Sequence, residues 1–514
     1  MNPEERSHHL RVIRFTLVSA LILMGVRIVF STPIEIDGDS VGKWISATAL
    51  ASGVTWPSLE TSHHTLRWAI LLPQMAVSTI LPGRYESYFV LPIMFYSFFT
   101  AIGMAFIRNH LNQKLLVAPI FLGVLITIDP ISHVMASQLK TVSFGLFYFI
   151  LANVFLAIYV RGGKKQWLLA GAVLVFFSYG SHITYLLFAA GPLFVIVGHR
   201  RDYSGGVIFL LSLLALIAFE SVVIGLLLGS GIDDGGRLNH LMSGATHQPV
   251  RLARGSGPPL EFLDLFVRWR LVPKFDLVIG IAYCCGVILL CQKRIRQEMP
   301  AVIWFCFYSG GVYALAVSAP VVGFDPLRLA MGLHTRYLAP AFPLMLIFVV
   351  WLIGYYAESM RTWGKIILPA FTVFTSLGFI SGCVVYRCAS EISPDSYPDL
   401  IEESYCRIFR YAQNQNIYPA PDRFLLKAQE YYQEFSEDYR SGVVSLFGGT
   451  RIGVLSALIE FDGKGARFVE TPNGWFSIDG SDKEFCVMEL GQVDRPLDNY
   501  RSCGSQPMSR ELFN

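Results

Sequence analysis

Runs of about 20 apolar residues recur from one end of this 514-residue chain to the other, and no other feature restricts its fold as strongly. A helix rising about 1.5 Å per residue needs about 20 apolar residues to cross a hydrocarbon core of about 30 Å. Eleven runs read as spans: 12–30, 86–107, 115–128, 141–160, 166–180, 183–198, 206–229, 276–292, 299–320, 337–357 and 365–386. Composition agrees, with 15% charged residues where soluble domains carry about 25%. Mean hydropathy is +0.48. The expected fold is an α-helical polytopic membrane protein of about 11 transmembrane helices. A net charge of +3 is too small to point to nucleic acid. The first run is too long for a cleavable signal peptide and has no small-residue cleavage site.

Basic residues set the orientation. They collect in alternate short loops: Arg6/Arg11, Arg108/Lys114, Arg161/Lys164/Lys165, Arg200/Arg201, Lys293/Arg294/Arg296 and Arg361/Lys365. The positive-inside rule makes these loops cytoplasmic. With an odd number of spans, the N-terminus lies inside and the C-terminal region outside. The run from His63 to Pro82 carries Arg67 at its start and Pro73 in its middle. Counting it as a crossing would invert every later loop, so it reads as an interfacial segment.

Two domains follow. Residues 1–386 form a transmembrane domain with a long first external loop at 31–85 and another at 230–275. Residues 387–514 read as a small external α+β domain, with helical patterns near 397–415 and 422–440 and strand-like runs at 466–469 and 486–490. Cys388, Cys406, Cys486 and Cys503 fall in that external part, where pairing 388–406 and 486–503 is the simplest of three disulfide connectivities. No Cys-x-x-Cys pair, internal repeat, P-loop or dinucleotide fingerprint occurs.

Ionisable residues cluster at the outer ends of the spans. Asp37 and Asp39 follow the first span, and His63, His64 and Arg67 belong to the same loop. Gln138 and Lys140 come from the second external loop and His182 from the third. Arg328, His334, Arg336 and Tyr337 come from the last. Charges beside a membrane are costly and are functional candidates by default. Arginine forks hold phosphate, while a carboxylate can take a proton from an attacking hydroxyl. Several positions also have plain structural readings. Asp39 can cap the helix that follows it, Asp129-Pro130 reads as a helix end, and Arg336 can simply snorkel.

The order of these features resembles the GT-C superfamily of integral-membrane glycosyltransferases. Protein O-mannosyltransferases and the aminoarabinose transferases of lipid A are examples. The matching elements are Asp39 followed by Ala47, Leu50 and Gly53, then His63-His64-Thr65-Leu66-Arg67-Trp68, and a late Arg336-Tyr337 with Pro340 and Pro343. Two positions depart from the pattern. Ser40 stands where a second acid is usual, and Ser137 to Val142 holds no acid.

The resemblance implies an inverting transfer of sugar from a polyprenyl-phosphate donor to a glycan, lipid or protein hydroxyl, on the periplasmic face of a bacterial inner membrane. Asp39 is then the base and Asp37 its neighbour or rival. Arg336, Arg328, Lys140 and Arg67 bind the donor phosphate. His63, His64, Gln138, His182, His334 and Tyr337 bind substrate. The metal question stays open, because two nearby carboxylates can bind a divalent cation, Mg or Mn, or act bare. Two other readings stand beside it: an O-antigen-type polymerase or ligase, and a transporter or flippase of lipid-linked sugars with Glu220 as its buried carboxylate.

Overall fold

The computed structural model describes residues 3–29, 38–53, 55–56, 66–82, 86–111, 117–228, 255–257, 274–318, 321–324, 327–331 and 338–359, with four strands between 467 and 508. Ten of the eleven expected spans coincide with helical segments. The eleventh, 365–386, lies outside the described residues, as do the helical patterns at 397–415 and 422–440. In chain order the helices are α1 (Pro3–Val29), α2 (Gly38–Ala51), α3 (Trp68–Ile80), α4 (Glu86–His110), α5 (Val117–Ile128), α6 (Pro130–Ser137), α7 (Thr141–Val160) and α8 (Lys165–Ser181). The run Ile183–His199, here α9, changes pitch twice, from 3₁₀ to α to π. Then come α10 (Tyr203–Leu228), α11 (Lys274–Leu289), α12 (Lys293–Glu298), α13 (Ala301–Ser318) and α14 (Ala341–Ser359).

Five helices among the described residues are long and apolar enough to cross a membrane: Ser7–Val29, Glu86–His110, Thr141–Val160, Tyr203–Leu227 and Ala301–Ser318. The first and fourth are only 22% buried, while the others are 67–72% buried. The protein therefore has the make-up of an α-helical membrane protein, with α1 and α10 at the edge of the bundle. Helix α3 covers only 13 residues, about 20 Å, and is too short to cross a hydrocarbon core of about 30 Å.

The chain divides into two compact units. The larger comprises Met1–Ser31, Pro92–Ser137 and Thr141–Cys383. Its centre is α7 against α8, and α13 against α14, with α9 beside α13. Glycine lets these helices approach. A Cβ at Gly145 of α7 would overlap the Tyr185 ring. That ring stacks on Phe188 at 5.1 Å. Hydroxyls in this core answer backbone carbonyls: Ser178 Oγ donates to Gly145 at 2.8 Å, Ser309 Oγ to Phe188 at 2.7 Å and Tyr283 OH to Phe307 at 2.7 Å. With no water in the hydrocarbon, a polar group there must find its partner inside the protein.

The same unit holds a small sheet that the sequence reading took for loop. Strands β1 (Gly255–Gly257), β2 (Val321–Phe324) and β3 (Leu327–Met331) form an antiparallel sheet in the order β1-β3-β2. Part of the 230–275 segment is thus tied to the stretch that follows α13. Helix α14 begins at Ala341, five residues after Arg336, so the expected span from 337 starts late. Prolines at 340 and 343 explain this, since Pro is tolerated only in the first turn of a helix.

The smaller unit comprises Thr32–Leu91, Gln138–Lys140 and Val384–Asn514. Within its C-terminal segment, β4 (Arg467–Thr471), β5 (Gly474–Ile478), β6 (Phe485–Glu489) and β7 (Pro507–Met508) make an antiparallel sheet in sequential order. The strand-like runs at 466–469 and 486–490 fall on β4 and β6. Strand β5 was not anticipated. Cys486 lies on β6, while Cys388, Cys406 and Cys503 lie outside the described residues, and with them the expected pairing.

Candidate functional site

Helix α2 starts one residue before Asp39 and is where the expected chemistry is concentrated. Its stripe Ser40, Lys43, Trp44, Ala47 follows helical spacing and is buried. Gly53, two residues beyond the helix, has φ +93°, a left-handed conformation that glycine adopts without strain. Ala47 is fully buried, so a larger side chain there would meet packed neighbours.

Four segments distant in sequence meet in this smaller unit. Trp44 Nε1 donates to Ser87 Oγ at 2.8 Å, and Gln74 Nε2 of α3 donates to the Ser87 carbonyl at 2.8 Å. Tyr88 OH donates to Gln138 Oε1 at 2.8 Å. Lys43 Nζ reaches the Leu139 carbonyl at 3.5 Å, the long end of hydrogen-bond distance. Lys43, Arg67 and Lys140 are all buried, at 1%, 7% and 8% exposure. Burying a cation costs several kcal/mol before pairing, and three are buried among the described residues of this unit.

The expected residues distribute as follows. Asp39 is in the first turn of α2, while its side chain lies outside the described residues, as does Asp37. Gln138 and Lys140 belong with α2 and the start of α4 in the smaller unit. Arg67 is the N-cap residue of α3, and its carbonyl accepts from the Ile70 and Leu71 amides. His63, His64, His334, Arg336 and Tyr337 lie outside the described residues. Arg328 is in β3, opposite Gly323, with its side chain outside the described set. His182, in the larger unit, ends α8 and caps the next helical turn. Its Nδ1 accepts the Thr184 amide at 3.4 Å and lies 2.8 Å from the Thr184 hydroxyl. That hydroxyl also meets Tyr313 OH at 3.1 Å. Asp129 is a helix cap: its Oδ2 accepts the Ser132 amide at 2.9 Å, with Pro130 as the first residue of α6.

The sequence reading missed Lys43, Gln74, Tyr88 and Arg27. Arg27 lies inside the first apolar run. It is 2% exposed, and none of its three nitrogens makes a hydrogen bond among the described residues. Its guanidinium stands over the Tyr96 ring, 4.7 Å from the centroid, and Asp129 is near enough to act on its charge. An arginine two turns or less from the end of a hydrophobic run was the available signal. Lys43, four residues after Asp39, is an i,i+4 partner position that the helical pattern already offered.

Among the described residues no group of three or more His, Cys, Asp or Glu is placed to hold a metal ion. Glu220 is buried in α10, at 5% exposure. Compared by sequence, the chain matches no known family model and no curated protein.

Proposed function

We propose that the protein is a membrane glycosyltransferase that moves a sugar from a polyprenyl-phosphate donor to a hydroxyl acceptor. The observation that supports this reading is the smaller unit itself. A helix that follows the first span carries Asp39 in its first turn, and the same unit buries Lys43, Arg67, Lys140 and Gln138. A carboxylate suits deprotonation of an acceptor hydroxyl. Buried cations suit a donor whose leaving group is a phosphate, because charge developing there is stabilised best where water is excluded.

In this reading Asp39 takes the acceptor proton as the hydroxyl oxygen attacks the anomeric carbon. The bond from that carbon to the phosphate oxygen breaks, and polyprenyl phosphate leaves with the electron pair. Asp37 is the neighbouring carboxylate. Lys140 and Arg67 hold the phosphate, and His63 and His64 line the sugar. A divalent cation, Mg or Mn, at the carboxylates is compatible with the same chemistry. The basic loops favour a site on the external face of the membrane, which the resemblance to bacterial transferases makes the periplasmic face of an inner membrane.

The test is Asp39→Asn in the full chain, incubated with a panel of polyprenyl-phosphate sugars and scored by mass shift of candidate acceptors. Transfer drops by about a hundredfold or more at unchanged expression. Full activity in the variant removes the assignment, and inactivity of Asp37→Asn alone exchanges the two roles. A transporter of lipid-linked sugars is the second reading, favoured by the buried Glu220. It requires Glu220→Gln to stop lipid translocation, with no sugar transfer by either form.

A further inference from the structure

A groove lies between the N-terminal part of α1 and the C-terminal end of α4, lined by His8, Arg11, Val12, Phe15, Arg108 and Asn109. It is shallow, with an enclosed volume of about 30 Å³. It occurs at the start of one membrane-length helix and the finish of the other, within a single unit, so both helices present it at one membrane surface. Arg108 is half-buried and held in place: its guanidinium stacks over the Phe15 ring, 4.3 Å from the centroid. Arg11 is exposed on the facing helix. Further into the membrane on the same side of α1, Val18 and Ile22 are each more than half exposed, an apolar surface for acyl chains.

We propose that this groove binds the phosphate headgroup of an anionic membrane lipid, with Arg11 and Arg108 as the charged arms. Basic grooves between membrane helices attract anionic headgroups because each Arg near the surface adds electrostatic attraction and the aromatic floor fixes its direction. The acyl chains of the lipid continue along Val18 and Ile22. This site is independent of sugar transfer and of which leaflet the groove faces.

The full-length protein is reconstituted in nanodiscs of equal parts phosphatidylcholine and phosphatidylglycerol, extracted, and the retained lipid counted by native mass spectrometry. The wild type keeps phosphatidylglycerol in preference to phosphatidylcholine. Arg11→Gln combined with Arg108→Gln lowers that retention by about tenfold. Arg11→Lys with Arg108→Lys keeps most of it, which separates lost charge from lost folding. Arg200→Gln with Arg201→Gln, an equal loss of charge elsewhere, leaves retention unchanged. Three outcomes overturn the proposal: unchanged retention in the double Gln variant, an equal fall in the Arg200/Arg201 control, or displacement of the lipid by millimolar inorganic phosphate, which marks a site for a free anion.

Discussion

The helical core around Gly145 and the α2–α3 region both bury polar side chains, but of different kinds. In the core the buried polar groups are mostly neutral hydroxyls, and each of Ser178, Ser309 and Tyr283 donates to a backbone carbonyl one helix away. Around α2 and α3 the buried groups include three cations, a glutamine from each of two segments and the indole of Trp44. A hydroxyl bonded to a carbonyl costs a membrane core little, since both partners are satisfied locally. A buried cation is expensive wherever it stands. The first pattern is how helices lock together. The second is the costlier pattern, and the proposed function gives it a use in holding a donor phosphate.

The largest expected effect tests whether the α2–α3 region is nonetheless well packed. Trp44→Ala removes a fully buried indole and its bond to Ser87, and costs about 3–5 kcal/mol in thermal or denaturant unfolding. A cost near zero would show that the region packs loosely and would break its likeness to a folded core. Next, Lys43→Met separates cost from use. Sugar transfer per folded molecule falls about a hundredfold, whatever stability is lost with the buried charge and its partners. Lost stability with unchanged transfer reverses the comparison and makes Lys43 structural. In the helical core, Gly145→Ala pushes a methyl into the Tyr185 ring and costs about 1–3 kcal/mol. Little change in transfer per folded molecule is expected from it.

The smallest effect concerns a joint between helices. Asp202 accepts from Tyr159 OH at 2.5 Å and from the Gly205 amide at 2.8 Å, capping α10. These two hydrogen bonds, the tyrosine's first, hold its carboxyl below the usual carboxylate range. A depressed carboxylate contributes stability above its unfolded pKa of about 4 and loses it as pH falls through the folded value. Asp202→Ala costs about 1 kcal/mol at neutral pH. That difference shrinks in acid unfolding scans below about pH 4. A difference that grows on acidification would contradict the cap.

How legible the molecule was in its sequence differs between its parts. Ten helical segments stand where apolar runs predicted them, because hydrophobic length is a local property. The one-turn delay of α14 was readable in Pro340 and Pro343. The sheet joining Gly255–Gly257 to Leu327–Met331 was not, since its strands are short, glycine-bearing and separated by more than one helix. Asp129 gave its capping role away through Pro130. His182 did not, since a lone histidine at a helix end looks the same as a ligand until Thr184 is seen against it. Arg27 was legible and overlooked, hidden by the apolar average around it.

The sequence by itself determined the class of the protein and the positions of its long helices, which follow from hydrophobic length and charge along a single stretch of chain. Only the tertiary structure decided that Lys43, Gln74, Ser87, Tyr88 and Gln138 belong to one network, and that Arg27 stands over Tyr96. Those partners lie up to about a hundred residues apart, and no periodicity in a sequence encodes which distant side chain a buried polar group will find.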